Sequence, residues 1–169
     1  MKPKQSVYKP GAPFLPAFIG SGFGSGYWPW GPGTAGAFVA LLIWLGLSQA
    51  FGDPYVKLVT LLLVAFFYAA GVWAANRLEP FWGEDPSRVV IDEVVGVWIS
   101  LLAAPAGDLA YGMAAFVLFR FFDIVKPLGV RHMETMKRGH GVMMDDVLAG
   151  IYGFMVLYVT QYVFLPLWR

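Results

Sequence analysis

Residues 57–75 read KLVTLLLVAFFYAAGVWAA, the most uniformly apolar stretch of the chain. Lys57 is its only charged residue, and Asn76 and Arg77 follow it directly. A helix needs about 20 predominantly apolar residues to cross the hydrocarbon core of a bilayer, and this stretch supplies them. We therefore predict a transmembrane helix that ends near Asn76, in an integral membrane protein.

The composition of the whole chain supports that class. Of its 169 residues, 58% are hydrophobic, 17% are aromatic and 14% are charged, and the mean hydropathy is +0.61. An average soluble domain has about 25% charged residues. The absence of cysteine excludes disulfides, thiolate metal sites and cysteine nucleophiles. A net charge of +1 and the lack of a basic run argue against a nucleic acid partner.

Other apolar stretches, before and after residues 57–75, predict further spans. They are residues 34–51, 94–104, 109–124 and 147–165. The stretch at 94–104 is too short to cross alone and reaches spanning length only if its helix starts near Ser87. Thr34 is predicted as the N-cap of the first of them, and residues 105–108 as a tight turn. The fold class predicted is therefore an all-α, polytopic membrane helical bundle with about five spanning helices.

The N-terminal segment differs from the rest because it is rich in glycine and proline. It contains GFGSGYWPWGPG at residues 22–33, too many helix-breaking residues for a helix or a signal-peptide core. We expect residues 1–33 to lie in the cytoplasm or at the membrane interface. Residues 34–169 then form one transmembrane domain, with no room for a separate soluble domain.

The distribution of basic residues predicts the orientation in the membrane. With five spans, most Lys and Arg fall on the side of the N-terminus, which the positive-inside rule assigns to the cytoplasm. They are Lys2, Lys4, Lys9, Arg77, Arg88, Lys126, Arg131, Lys137 and Arg138. Lys57 and Arg169 fall on the other side. The prediction is a multi-pass membrane protein with a cytoplasmic N-terminus.

Acidic residues cluster at the edges of the apolar stretches on that same cytoplasmic side. They are Asp92, Glu93, Asp123, Asp145 and Asp146. An ionisable residue at bilayer depth costs about 2.5–3.5 kcal/mol on insertion scales, so such residues are usually functional. Oxygen ligands without Cys or His favour Mg²⁺ or Mn²⁺. We predict a metal site here, and the sequence leaves open which member of each adjacent pair contacts the metal.

Basic residues beside these acids indicate a phosphate. Arg120 lies one helical turn before Asp123, and Lys126 follows one turn later, before Pro127 stops the helix. Guanidinium and ammonium groups beside a metal-binding carboxylate suit a phosphate group. The glycine- and proline-rich segment could add backbone N–H groups directed at the phosphate, and the helix predicted to start at Thr34 adds the positive end of its dipole, so Thr34 is included among the phosphate-binding residues.

Small residues follow both acidic pairs on the same helix face. Gly96 lies one turn beyond the first pair, and Ala149 and Gly150 lie one turn beyond the second. Such residues let a ligand or a second helix approach closely.

Other functions are compatible with some of these features. A cation- or proton-coupled transporter also uses intramembrane carboxylates, although those should be spread across the bilayer depth. A Mg²⁺-dependent lipid phosphotransferase or prenyl-transferring enzyme usually carries Asp-rich spacings that are absent around Asp145. His140 is more typical of a solvent-exposed loop residue than of a general acid. Other acids, among them Asp53, Glu79, Glu84, Asp85 and Asp108, are interpreted as solvated loop charges.

Motifs that occur in order along the chain resemble the phosphatidylglycerophosphatase A family. They are GFGSG at 22–26, PGT at 32–34, VIDEVVGVW at 90–98, FRFFDIVKP at 119–127 and GVMMDDVLAG at 141–150. The resemblance covers residues 22–153 and rests on the whole ordered set.

The resemblance implies a Mg²⁺-dependent phosphatase of the bacterial cytoplasmic membrane that converts phosphatidylglycerophosphate to phosphatidylglycerol and phosphate. It assigns the catalytic acids to Asp92, Glu93, Asp123, Asp145 and Asp146, and the basic positions to Arg120 and Lys126. Metal-assisted hydrolysis is the expected reaction. The nucleophile, an activated water or an aspartate, stays open at this stage.

Overall fold

The computed structural model describes residues 8–127 and 139–164, and within these residues all regular secondary structure is helical. Its α-helices, numbered in chain order, are α1 Phe14–Gly20, α2 Pro32–Ala50, α3 Tyr55–Trp82, α4 Ile91–Leu101, α5 Leu109–Val125 and α6 Gly139–Val159. A 3₁₀ turn, Ser25–Tyr27, precedes α2, and a π-helical turn, Thr160–Phe164, continues α6. The predicted all-α class is confirmed.

Helix α4 is the centre of the bundle. It packs against α2, α3, α5 and α6, and each of its residues except Glu93 is buried. Trp98 on α4 donates a hydrogen bond of 3.0 Å from Nε1 to the carbonyl oxygen of Ala40 on α2. A helix that is apolar around its whole circumference must be surrounded, here by other helices of the same chain.

The number of spans predicted from the sequence is not confirmed. In the described part of the chain, three helical segments are long and apolar enough to cross a membrane: Pro32–Ala50, Tyr55–Trp82 and Gly139–Tyr162. Helix α4 has 11 residues, about 16 Å of helix, and α5 has 17, about 26 Å. Hydropathy alone cannot distinguish a helix buried by its neighbours from one buried by lipid, which explains why α4 was included among the spans.

Several helix boundaries also differ from the predictions. Helix α3 continues past Asn76 to Trp82, because polar residues are compatible with helix beyond the apolar core, and it ends at Gly83 with φ 87°. Helix α4 begins at Ile91, not at residue 87. Helix α6 begins at Gly139, eight residues before the predicted start at 147, so both of its acids lie inside the helix. The predicted end of that span, residue 165, lies outside the described residues.

The N-terminal segment is more ordered than its glycine and proline content suggested. It forms α1 and the 3₁₀ turn, and Val90 donates a backbone hydrogen bond of 2.8 Å to Gly20. Thr34 is not the N-cap of α2: the helix begins at Pro32 and its N-cap is Gly31, in the left-handed conformation. Proline is favoured at the first helical position because its missing N–H would have no partner there. Lys2, Lys4, Arg131, Lys137, Arg138 and Arg169 lie outside the described residues.

The end of the bundle away from the predicted site holds acids that stabilise turns. Asp53 accepts a hydrogen bond of 2.9 Å from the backbone of Ala106 and lies 3.5 Å from the ammonium group of Lys57. Asp108 caps α5 by accepting a bond of 3.1 Å from the backbone N–H of Tyr111. The turn predicted at residues 105–108 is therefore confirmed, with Asp108 as its capping residue.

Glycine residues allow α4 and α6 to approach each other closely, as the small residues predicted. A Cβ atom at Gly150 would overlap the carbonyl oxygen of Gly96, and one at Gly96 would come 2.8 Å from the carbonyl oxygen of Asp146. Ser100 on α4 donates a hydrogen bond of 3.0 Å to the carbonyl oxygen of Gly150. This contact brings the acids of the two helices to the same level of the bundle.

Substituting Gly150 tests this helix contact. We expect Gly150→Ala to destabilise the protein by about 1–3 kcal/mol, because the new methyl group must push α6 away from α4. Gly46→Ala is the matched control, since a Cβ there meets nothing within 4 Å. Thermal unfolding in detergent measures both, and equal midpoints for the two variants would contradict the close contact.

Candidate active site

The candidate site lies where the ends of four helices meet. Successive helices from α2 to α6 run in alternating directions, so the starts of α2, α4 and α6 share one end of the bundle with the end of α5. Asp92 and Glu93 are in the first turn of α4, and Asp123 is near the end of α5. Asp145 and Asp146 lie about two turns into α6. The acids predicted from the sequence are thus brought to one place.

Three of the acids form a compact cluster. One carboxylate oxygen from each of Asp92, Glu93 and Asp146 lies within 4.8 Å of the other two. Asp92 and Asp146 are 8% and 3% exposed, so water screens their charges poorly. Glu93 Oε2 is buried and has no hydrogen-bond partner among the described residues. An all-oxygen set of negative ligands at this separation fits Mg²⁺ or Mn²⁺.

The two basic residues each contact one of the remaining acids. Arg120 Nη1 lies 2.6 Å from Asp123 Oδ2 and 4.0 Å from Glu93 Oε1. Lys126 Nζ lies 2.7 Å from Asp145 Oδ2 and joins the end of α5 to α6.

The two adjacent acid pairs are arranged differently. Asp92 and Glu93 both contribute to the three-carboxylate cluster. In the second pair, Asp146 belongs to the cluster and Asp145 is paired with Lys126. Neighbouring residues on a helix point about 100° apart, which separates Asp145 from Asp146. The first pair stays together because the longer Glu93 side chain can reach back toward the cluster.

The start of α2 closes the cluster from one side. A Cβ atom on Gly33 would overlap Glu93 Oε1 and lie 3.3 Å from Arg120 Nη1. The backbone N–H groups of the first helical turn have no partner inside the helix, so those of Gly33 and Thr34 are available to an anion. Thr34 is the third residue of α2 and is exposed. Its role in binding phosphate stays a prediction.

Two further buried atoms in the site have no partner among the described residues. They are Arg120 Nε and Asp145 Oδ1. A buried donor beside a cluster of acids is a ready contact for a phosphate oxygen.

Residues outside the cluster show where the sequence reasoning was incomplete. Gly33 was not singled out, although a glycine in the first turn of a helix marks a close approach. Asp85 is exposed, as expected for a loop charge. Glu79, also interpreted as a loop charge, lies inside α3 instead, because that helix continues past the apolar stretch. His140 is exposed, as predicted, but it lies in the first turn of α6 and not in a loop. Its Nδ1 atom forms a hydrogen bond of 3.0 Å with the hydroxyl group of Tyr68 on α3.

Helices of bilayer length and a buried group of carboxylates beside Arg and Lys together fit a membrane enzyme that acts on phosphate esters. The family model of phosphatidylglycerophosphatase A matches residues 18–161. The chain therefore belongs to the phosphatidylglycerophosphatase A family, as its motifs indicated. Enzymes of this family are phosphoric monoester hydrolases, and this protein is one of them.

Curated relatives agree with this family. A phosphatidylglycerophosphatase A of Haemophilus influenzae is 38% identical over 83% of this chain and 85% of its own length. The Escherichia coli protein of the same name is 34% identical over 81% of this chain and 78% of its own length. A Bacteroides thetaiotaomicron protein, provisionally named a phosphatidylinositol-3-phosphatase, is 60% identical over 89% of this chain and 96% of its own length. No solved structure matches the chain.

Substituting Gly33 tests the closure of the cluster by α2. We expect Gly33→Ala to lower phosphatase activity by about 100-fold, the order of loss that follows a displacement of about 1 Å in a reacting site. Gly46→Ala, in the same helix, should keep wild-type activity because its Cβ lies in open space. Phosphate release by the purified variants is the measurement. Full activity of Gly33→Ala would show that Gly33 does not border the site.

Proposed function

We propose that the protein is a Mg²⁺-dependent lipid phosphatase of the bacterial cytoplasmic membrane that hydrolyses phosphatidylglycerophosphate to phosphatidylglycerol and phosphate at the cytoplasmic face. The observation that carries the proposal is the meeting of three carboxylates, from Asp92, Glu93 and Asp146, with Arg120 and the start of α2. Family membership and the names of the Haemophilus and Escherichia coli relatives support the substrate.

Mg²⁺ is the cofactor proposed for the three-carboxylate cluster. Asp92, Glu93 and Asp146 would hold it, because a cation offsets the repulsion between three closely spaced negative charges. When bound, it would polarise the phosphoryl oxygens and neutralise charge on the departing oxygen. Asp123 and Asp145 are proposed to act beside it, through their ion pairs with Arg120 and Lys126.

The protein's own residues would position the phosphate. Arg120 is held by Asp123 at 2.6 Å and has its Nε free among the described residues, so it can bind a phosphate oxygen without reorienting. The N–H groups of Gly33 and Thr34 would contact a second oxygen from the side of α2. Lys126, on Asp145, would add a second positive charge. These contacts would orient the phosphorus atom for in-line attack.

Hydrolysis then requires one water molecule. Its oxygen attacks the phosphorus atom while the bond from phosphorus to the glycerol oxygen breaks. A carboxylate of the site would accept the proton that the water loses, and the departing glycerol oxygen would take up a proton to become a hydroxyl group. The products are phosphatidylglycerol and inorganic phosphate.

The surface of the bundle near the site supports a lipid substrate. On α5, exposed apolar side chains follow the helix toward its acidic end: Val117 is 57% exposed, Phe121 is 54% and Ile124 is 69%. Arg120 and Asp123 lie between these residues and point inward. Acyl chains could therefore stay in the leaflet against this face while the head group reaches the carboxylates.

A second candidate substrate is phosphatidylinositol 3-phosphate. It is favoured by the 60% identity to the Bacteroides protein that carries the corresponding provisional name. Both lipids present a phosphomonoester on a head group that is linked to diacylglycerol through a phosphodiester. The same cluster could therefore serve either, and only the contacts to the rest of the head group would differ.

The transporter is not favoured by the structure. In a transporter the acids should extend through the bilayer. Here Asp53 and Asp108, at the opposite end of the bundle from the site, stabilise turns. The lipid phosphotransferase is not favoured because the family is one of hydrolases.

Activity of the purified protein in detergent tests the proposed function. We expect phosphate release from phosphatidylglycerophosphate in Mg²⁺, loss of release in EDTA, and slower release from phosphatidylinositol 3-phosphate. Asp146→Asn should lower the rate by on the order of 100-fold or more, while Glu84→Gln, in an exposed loop, should not. Release that is independent of Mg²⁺, or an active Asp146→Asn variant, would contradict the proposal. Faster release from the inositol lipid would favour the second candidate.

Labelling of single cysteines tests the proposed orientation. The chain contains no native cysteine to interfere. In spheroplasts, Gly52→Cys, at the end of the bundle away from the site, should react with an impermeant thiol reagent. Glu84→Cys, at the site end, should react only after the membrane is permeabilised. Labelling of Glu84→Cys in sealed spheroplasts would reverse the orientation.

A further inference from the structure

Arg88 lies in the connection between α3 and α4 and is stacked on aromatic rings. Its Cζ atom is 3.7 Å from the centroid of the Tyr8 ring and 5.3 Å from that of Tyr27. Both tyrosines contact Trp82 edge to face, each with 6.2 Å between ring centroids. The guanidinium group is therefore fixed in place by the N-terminal segment.

Backbone and side-chain hydrogen bonds hold this aromatic support in position. The Tyr8 and Ser87 hydroxyl groups are 3.2 Å apart, and the backbone N–H of Lys9 donates a bond of 2.7 Å to Phe81. A Cβ atom at Gly26 would overlap the carbonyl oxygen of Arg88. The N-terminal segment and the connection before α4 thus form one packed unit.

Among residues 8–127 and 139–164, no acid forms a salt bridge with Arg88. Among the described residues, the acids that lie within 4.0 Å of a basic nitrogen contact Lys57, Arg120 or Lys126. Stacking on aromatic faces leaves the N–H edge of a guanidinium group available for two parallel hydrogen bonds to a phosphate. A cation that is already ordered binds an anion with little further loss of side-chain entropy.

The position of Arg88 indicates which anion it would meet. Arg88 precedes Asp92 by four residues, so their Cα atoms are at most about 14 Å apart. Exposed aromatic side chains of the same segment surround this end of the bundle: Tyr27 is 52% exposed, Trp28 is 56% and Trp30 is 82%. Tyrosine and tryptophan are enriched at the level of the lipid head groups, where phosphates are the abundant anions.

We propose that Arg88, stacked on Tyr8 and Tyr27, binds the phosphodiester group of a phospholipid beside the entrance to the active site. This inference rests on the proposed function, because both candidate substrates carry a phosphodiester in addition to the phosphate that is removed. The phosphodiester belongs either to the substrate molecule itself or to a neighbouring anionic lipid. In each case Arg88 acts in lipid recognition and not in the reaction at phosphorus.

Kinetics in a neutral detergent without other phospholipid test the substrate as the source. Arg88→Gln should raise KM for phosphatidylglycerophosphate by about fivefold, as expected from the loss of one interfacial charge contact, with kcat nearly unchanged. Arg88→Lys, which keeps the charge, should recover part of the loss.

Retention of phosphatidylserine by the detergent-purified protein, measured by native mass spectrometry, tests a neighbouring lipid as the source. The wild type should retain more phosphatidylserine than Arg88→Gln. A change in KM alone assigns the phosphodiester to the substrate, and a change in retention assigns it to a neighbouring lipid. If Arg88→Gln matches the wild type in both measurements, the proposal is wrong.

Tyr8→Phe is the matched control for a merely structural effect, since it keeps the ring and loses the contact with Ser87. Tyr8→Phe should match the wild type in both KM and phosphatidylserine retention. If it shared the defect of Arg88→Gln, the cause would be loosening of the N-terminal segment, and the proposal would be overturned. Retention of phosphatidylserine can be measured without any hydrolysis of the substrate. If the wild type released no phosphate from any lipid, the proposed function would fail while retention still decided the role of Arg88.

Discussion

The repulsion between buried carboxylates at one end of the bundle is the constraint on which the rest of the site depends. Asp92, Glu93 and Asp146 place one oxygen each within 4.8 Å of the others, in surroundings that water screens poorly. The fold counters this repulsion with Arg120 and Lys126, each 2.6–2.7 Å from a neighbouring acid, and with the positive end of the α2 dipole. A divalent cation would complete the compensation, and the same charges would then give the cluster its proposed affinity for a metal ion.

Close packing of α4 against α6 is what brings the acids together. The two helices can approach because Gly96 and Gly150 leave no side chain between their backbones. Helix α4 is short and almost completely buried, so its first turn is surrounded by other helix ends and not by lipid. The close contact and the charge cluster are therefore linked: one extra methyl group at Gly150 would separate Asp146 from Asp92.

Much of this arrangement could be predicted from the sequence because charge is rare in apolar stretches, so each acid near a span carries information. The all-α class, the single site and the small residues after each acid pair follow from that pattern. The number of spans could not be predicted, because α4 is as apolar as a lipid-facing helix although protein surrounds it. The division of roles between Asp145 and Asp146 could not be predicted either, because it depends on the rotation of α6 about its axis. Gly33 was missed because its importance comes from Glu93, which is distant in sequence.

Binding of Mn²⁺ to the metal-free protein in detergent, followed by electron paramagnetic resonance, tests the central claim most directly. Saturable binding should occur in the wild type and in Glu84→Gln. It should be lost in Asp146→Asn, whose carboxylate belongs to the cluster, and retained in Asp145→Asn, whose carboxylate is paired with Lys126. Absence of binding in the wild type, or equal binding in Asp146→Asn, would contradict a metal site at these carboxylates.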